Sequence, residues 1–149
     1  MFNCEEGHPN VVMPGKRPRT TLINYIAKKD GKPVMTIGCP GGDNQAQANV
    51  QLILNTMDFG MDPQQAVEAP RFDSRNVENS FFPPPYPSGK LDLEPGIPES
   101  TADALRARGH EIGWAANCGL GATVSVRDQE TGNLSTGGDP RRACYAIGL

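Results

Sequence analysis

Thr20-Thr21-Leu22-Ile23-Asn24-Tyr25-Ile26-Ala27, then Lys29-Asp30-Gly31-Lys32, then Val34-Met35-Thr36-Ile37 is the stretch whose reading decides the fold. Two runs rich in β-branched and aromatic residues flank an Asp-Gly pair, the strongest short-range signal for a β-hairpin. Both runs are close to continuously apolar, which predicts a sheet covered on both faces. Cys39-Pro40-Gly41-Gly42 then breaks the second strand. A helix is expected directly beyond it, capped by Asp43 or Asn44, with Ala46, Val50, Ile53, Leu54 and Met57 recurring at helical spacing. Ala48 and Leu52 fall off that stripe, so the helix is expected to pack on more than one side.

On the N-terminal side, the first 18 residues read as an extended arm, because His8-Pro9 and Pro14-Gly15 exclude a helix. On the C-terminal side, Asp62, Pro63 and Gln65 form a capping-box start for a second helix that runs to about Ala69. Periodicity is lost from Arg71 to Gly89, where Phe81-Phe82-Pro83-Pro84-Pro85-Tyr86-Pro87 has polyproline-like composition. Lys90 to Leu93 reads as a short strand, and Pro98 to Arg108 as a helix with Gly109 at its C′ position. The tail is expected to be a β-meander: Ala122 to Val126, a turn at Asp128 to Asn133, Leu134 to Gly137, and a closing stretch Cys144 to Gly148. Strands, then helices, then strands argue for an α+β domain over residues 1–149, with helices on an antiparallel sheet rather than a doubly wound fold.

Bulk properties narrow the function classes. The 149 residues fit one domain, and 17 glycines with 14 prolines assign a large share of it to turns. A net charge of −3 gives no reason to expect nucleic acid, and the basic run Gly15-Lys16-Arg17-Pro18-Arg19 is too short and interrupted to track a phosphate backbone. No apolar run reaches membrane-spanning length, and the acidic opening Met1-Phe2-Asn3-Cys4-Glu5-Glu6 does not read as a signal peptide. The four cysteines, Cys4, Cys39, Cys118 and Cys144, lack metal-ligand spacing and read as small buried hydrophobes.

The residues that carry chemistry are a hydroxyl pair and a glycine pair. Thr20 and Thr21 can donate to a substrate carboxylate, and the hairpin returns the chain to Gly41-Gly42 at a helix start. Without a Cβ, such a turn lets backbone amides converge on one oxygen, and the helix adds partial positive charge. That combination suits an oxyanion in acyl transfer, where one donor is worth roughly 3–4 kcal/mol. The same residues also read as ordinary structure, since threonine pairs are common in strands and Pro-Gly-Gly serves as a strand-to-helix turn. Arg141 and Arg142 read as a salt bridge holding the tail, with anion binding as the other reading. His8 reads as a turn residue and His110 as a complement to a helix C-terminus.

Six segments resemble the C-terminal subunit of the γ-glutamyltranspeptidase family, in the family's order and spacing. They are Pro14 to Thr21, Gly38 to Asp43, Asp58 to Asp62, Glu68 to Phe72, Ala107 to His110 and Asp139 to Arg142. The resemblance implies part of an N-terminal-nucleophile hydrolase αββα sandwich, two sheets layered between helices, in a proenzyme that cleaves itself. It implies γ-glutamyl transfer through an acyl-enzyme on an N-terminal threonine, to water, an amino acid or a peptide. Carried over, the carboxylate-binding pair falls on Thr20 and Thr21, where many members have two serines, and the oxyanion glycines fall on Gly41 and Gly42. The resemblance places the nucleophilic threonine upstream of this region, and reduces the family's lid to Val11-Val12-Met13. It implies no metal or organic cofactor. The partners it implies are a small γ-glutamyl substrate, the N-terminal portion of the same protein and a second copy in a homo-oligomer. Two other readings stand beside it: an acylase for a β-lactam side chain or polyglutamate, and a non-catalytic self-associating module.

Overall fold

The computed structural model describes residues 2–76, 80–81, 89–118 and 121–147. The hairpin forms as expected, with β1 at Asn24–Lys29 and β2 at Lys32–Gly38. Asp30 and Gly31 turn it with φ of 51° and 77°, both left-handed, as a two-residue turn matched to strand twist requires. The first strand starts later than the sequence suggests. The Leu22 amide donates to Thr20 Oγ1 at 3.2 Å and the Ile23 amide to Gln45 Oε1 at 3.3 Å. The Leu22 and Ile23 amides therefore bond to side chains instead of a strand ladder.

Two further antiparallel strands, β6 at Thr123–Arg127 and β7 at Leu134–Gly138, complete a four-stranded sheet in the order β1-β2-β6-β7. Cross-strand partners Ile37 and Val124, with Met35, stand on one face. They pack there against Ala48, Leu52, Val67 and Ala122. The other face carries Ile26, 65% exposed, beside Thr36. Among the described residues the sheet is thus covered on one side, not both. Burial along β2 alternates with period two, because the helices supplying the core lie on a single face.

Helix α1 spans Asn44–Met57; Ile53 of its expected apolar stripe packs against the core, but most of that stripe is turned outward. Val50, Leu54 and Met57 are 54%, 39% and 58% exposed, and the buried residues are Gln45, Ala48, Asn49, Gln51 and Leu52. Polar side chains set this rotation. Gln51 bonds both backbone groups of Phe72, each at 3.0 Å. One turn earlier, Gln47 bonds both backbone groups of Ser74, at 3.3 and 2.9 Å. Two glutamines four residues apart act as a surrogate strand, and they order β3 at Phe72–Ser74, where the sequence shows no strand pattern.

Helix α2, Pro63–Glu68, has the expected capping box, with Gln65 N donating to Asp62 Oδ1 at 2.8 Å and Asp62 N to Gln65 Oε1 at 3.1 Å. Strand β4 is Lys90–Leu93, and helix α3 runs Glu99–Ala107 with Gly109 left-handed just beyond it. Strand β5, Glu111–Trp114, was not expected from the sequence and lies parallel to β4. The second sheet, β3-β4-β5, is therefore mixed rather than antiparallel. The closing stretch is not a strand over residues 144–147, because the Cys144 amide folds back onto Arg142 O at 2.8 Å. Gly148 and residues 82–87 of the proline-rich stretch lie outside the described residues. All four cysteines are free thiols, and the expected burial holds for Cys39 and Cys118 but not for exposed Cys4 or half-buried Cys144.

Candidate active site

The site is built where the chain leaves β2 and enters α1. Gly41 and Gly42 have φ of 143° and 61°, conformations that favour glycine. A Cβ at Gly42 would also lie 2.9 Å from Phe81 Cε2. The carbonyls of Gly41 and Gly42 accept from the amides of Asn44 and Gln45 at 3.3 Å each, which starts the helix. Among the described residues, the amides of Gly41 and Gly42 have no acceptor. Two free amides at a helix N-terminus form a ready-made place for negative charge.

Thr20 and Thr21 are brought to this turn. A cavity of about 300 Å³ is lined by Arg19, Thr20, Thr21, Gly42 and Asp43. Gly41 borders a second cleft, of about 630 Å³. The Thr20 hydroxyl accepts from the Leu22 amide and keeps its own proton to donate. All four residues singled out from the sequence thus lie around one turn, joined by Ile23, which lines both spaces.

The sequence did not reveal what Asp43 does. It makes no side-chain cap for α1. Its carboxylate instead accepts from Ser80, the amide at 2.6 Å and the hydroxyl closer still, and faces Arg19 at 3.4 Å. Burial pushes the Asp43 carboxyl up, but the bonds from Ser80 and the charge of Arg19 hold it below the usual carboxylate range. This clamp sets Phe81 against Gly42. A short polar side chain at an expected N-cap, with no partner nearby in sequence, was the only available signal.

Behind the turn lies a buried ionic frame. Arg71 pairs with Asp139, and both side chains are fully buried. Glu94 Oε2 accepts from the Arg71 amide at 2.9 Å, and its Oε1 accepts from the Cys118 amide at 2.7 Å and from Arg141 Nε at 2.9 Å. Arg141 also donates to Val67 O at 2.7 Å and Ala69 O at 3.0 Å. Arg141 is the salt bridge that holds the tail; Arg142 takes no part in it. Burial raises the Cys39 thiol pKa, against the opposing charge of Arg71, so Cys39 is a packing residue rather than a reactive thiolate. His8 is a turn residue, its Nδ1 accepting from the Asn10 amide at 3.0 Å.

Comparison with known proteins gives a consistent picture. The family model described as Gamma-glutamyltranspeptidase matches residues 1–149. The glutathione hydrolase proenzyme of Bacillus subtilis (strain 168) is 31% identical over 149 residues, covering 99% of this chain and 23% of that protein. The solved structure of LmbA2991HD superposes with a TM-score of 0.86 at 37% identity, covering 100% of this chain and 27% of the other. The cephalosporin acylase from Bacillus halodurans superposes with a TM-score of 0.76 at 32% identity, over 94% of this chain and 24% of its own. The chain spans about a quarter of the length of these relatives. It belongs to the gamma-glutamyltranspeptidase family.

Proposed function

We propose that this chain is the C-terminal portion of a longer γ-glutamyl hydrolase or transferase, and that it supplies the carboxylate pocket and the oxyanion hole. The observation that carries this reading is the Gly41-Gly42 turn, whose amides have no acceptor among the described residues and whose Gly42 borders the cavity of Thr20 and Thr21. In the proposed reaction, a threonine hydroxyl from the N-terminal portion attacks the γ-carbonyl of the donor. The carbonyl oxygen becomes an oxyanion held by the Gly41 and Gly42 amides, while the hydroxyls of Thr20 and Thr21 hold the donor's α-carboxylate. Collapse breaks the C–N bond, and the amine leaves with a proton. Water or an amine acceptor then attacks the acyl-enzyme and regenerates the hydroxyl. The chain alone has the donors but no nucleophile, so it is inactive by itself in this reading.

A second reading keeps the site and changes the donor to a β-lactam side-chain amide, and the likeness to a cephalosporin acylase favours it. Co-expression of this chain with the N-terminal portion of its parent, assayed with a γ-glutamyl anilide and a β-lactam amide, separates the two readings. Turnover of the γ-glutamyl donor by the combined protein alone, with KM raised roughly tenfold or more in Thr21→Val, supports the first. Turnover of the β-lactam amide alone supports the second. Turnover by the isolated chain contradicts both site assignments.

A further inference from the structure

We infer that the cleft on the Gly41 side of the turn is a subsite for a carboxylate on the amine half of the scissile amide, and that Arg142 binds it. The inference rests on the acyl-transfer reading above. The cleft measures about 630 Å³, and its walls include Asn24, Gly41, Gln45, Thr123 and Arg142. Among the described residues, Arg142 is the only charged one that lines it. The two adjacent arginines have divided roles. Arg141 is committed to Glu94, Asp139 and the backbone carbonyls of α2. Among the described residues the Arg142 side chain has neither an acid nor a hydrogen-bond acceptor.

The position of Arg142 is set by packing. Its stem crosses Gly121, where a Cβ would lie 2.7 Å from Arg142 Cβ and 3.3 Å from its Cδ. A guanidinium without a partner among the described residues, beside a cleft whose other described polar groups are neutral, is a site for a carboxylate. The place of that carboxylate on the substrate follows from the turn. Gly42 borders the cavity of Thr20 and Thr21, and Gly41 borders this cleft. An amide whose carbonyl oxygen rests on the turn extends its acyl half to one side and its amine half to the other. With the acyl half's carboxylate at Thr20 and Thr21, Arg142 faces the departing amine and, in the second half-reaction, the acceptor. The fitting ligands are amino acids and short peptides with a free C-terminal carboxylate.

The test uses the complete parent protein and two chromogenic donors, γ-glutamyl-4-nitroanilide and γ-glutamyl-3-carboxy-4-nitroanilide. The expected result is a preference for the carboxylated donor, with the ratio of the two kcat/KM values falling roughly tenfold or more in Arg142→Gln and less in Arg142→Lys. An unchanged ratio in Arg142→Gln overturns the subsite. A measurement on the unmodified protein guards against a variant that fails to fold: glycylglycine should be a better acceptor than glycylglycinamide, and equal efficiency overturns the inference. No turnover of either anilide overturns the acyl-transfer reading, and the subsite falls with it.

Discussion

The guanidinium of Arg71 lies against the carboxylate of Asp139 with neither side chain exposed, joining the end of α2 to the tail across 68 residues of sequence. Asp139 also accepts from the amides of Ala122 at 3.1 Å and Arg141 at 3.0 Å. On the other side, Arg71 Nε and Nη1 have no hydrogen-bond partner among the described residues. Breaking a buried pair strands the remaining charge, so Asp139→Asn is expected to cost about 3–5 kcal/mol in urea unfolding. The exposed pairs of Arg106 with Glu99 and Asp103 are the control, and Glu99→Gln should leave the unfolding midpoint unchanged. Equal effects from the two variants would mean that burial of the ionic frame is not what gives it weight.

The same frame sets the response to acid. Burial drives the carboxyls of Glu94 and Asp139 up, but their bonds with Arg141 and Arg71 outweigh it and leave both below their ordinary values of 4.5 and 3.8. A carboxyl with a lower pKa in the folded state adds stability above its unfolded pKa, and that contribution disappears as pH falls through the folded value. Stability should therefore decline from about pH 4.5 downward. Asp73, raised mainly by burial, acts in the opposite direction, because protonation favours its folded form. Asp73→Asn should make the fall in Tm between about pH 5 and pH 3 steeper; a shallower slope would contradict the assignment.

Gln51 replaces a neighbouring strand for β3 by bonding both backbone groups of Phe72. Gln51→Leu preserves the helix and removes both bonds. It should cost roughly 1–3 kcal/mol, the penalty for leaving buried polar groups unpaired. Hydrogen exchange at the Phe72 amide should accelerate while exchange in β2 does not. Unchanged protection at Phe72 would show that the surrogate pairing is dispensable.

Gly42 carries two constraints, a φ of 61° and the Phe81 ring 2.9 Å from any added Cβ. Gly42→Ala pays about 1–2 kcal/mol for the left-handed backbone and must displace Phe81. In the complete parent protein, kcat should fall by roughly tenfold or more as the amides leave their alignment. Adding Phe81→Ala should recover the part of the loss that comes from the clash. A double variant no better than Gly42→Ala alone would place the whole cost in the backbone.

Features governed by a few adjacent residues were legible in the sequence. The Asp30-Gly31 turn, the Asp62–Gln65 capping box, Gly109 beyond α3 and the β6–β7 meander each depend on local dihedrals and local hydrogen bonds. The grouping of Thr20, Thr21, Gly41 and Gly42 was legible for a related reason, because a single hairpin carries one pair to the other. Tertiary structure decided the rest. Antiparallel pairing with β4 and the bonds of Gln47 and Gln51 make a strand of Phe72–Ser74, and parallel pairing with β4 makes one of Glu111–Trp114. The outward turn of Val50, Leu54 and Met57 follows from polar bonds on the far side of α1, against the apolar periodicity. Arg141 and Arg142 are chemically identical neighbours, and Glu94, 47 residues away, separates their roles by neutralising one of them. Local rules act along the chain, whereas burial and charge pairing depend on groups that only folding brings together.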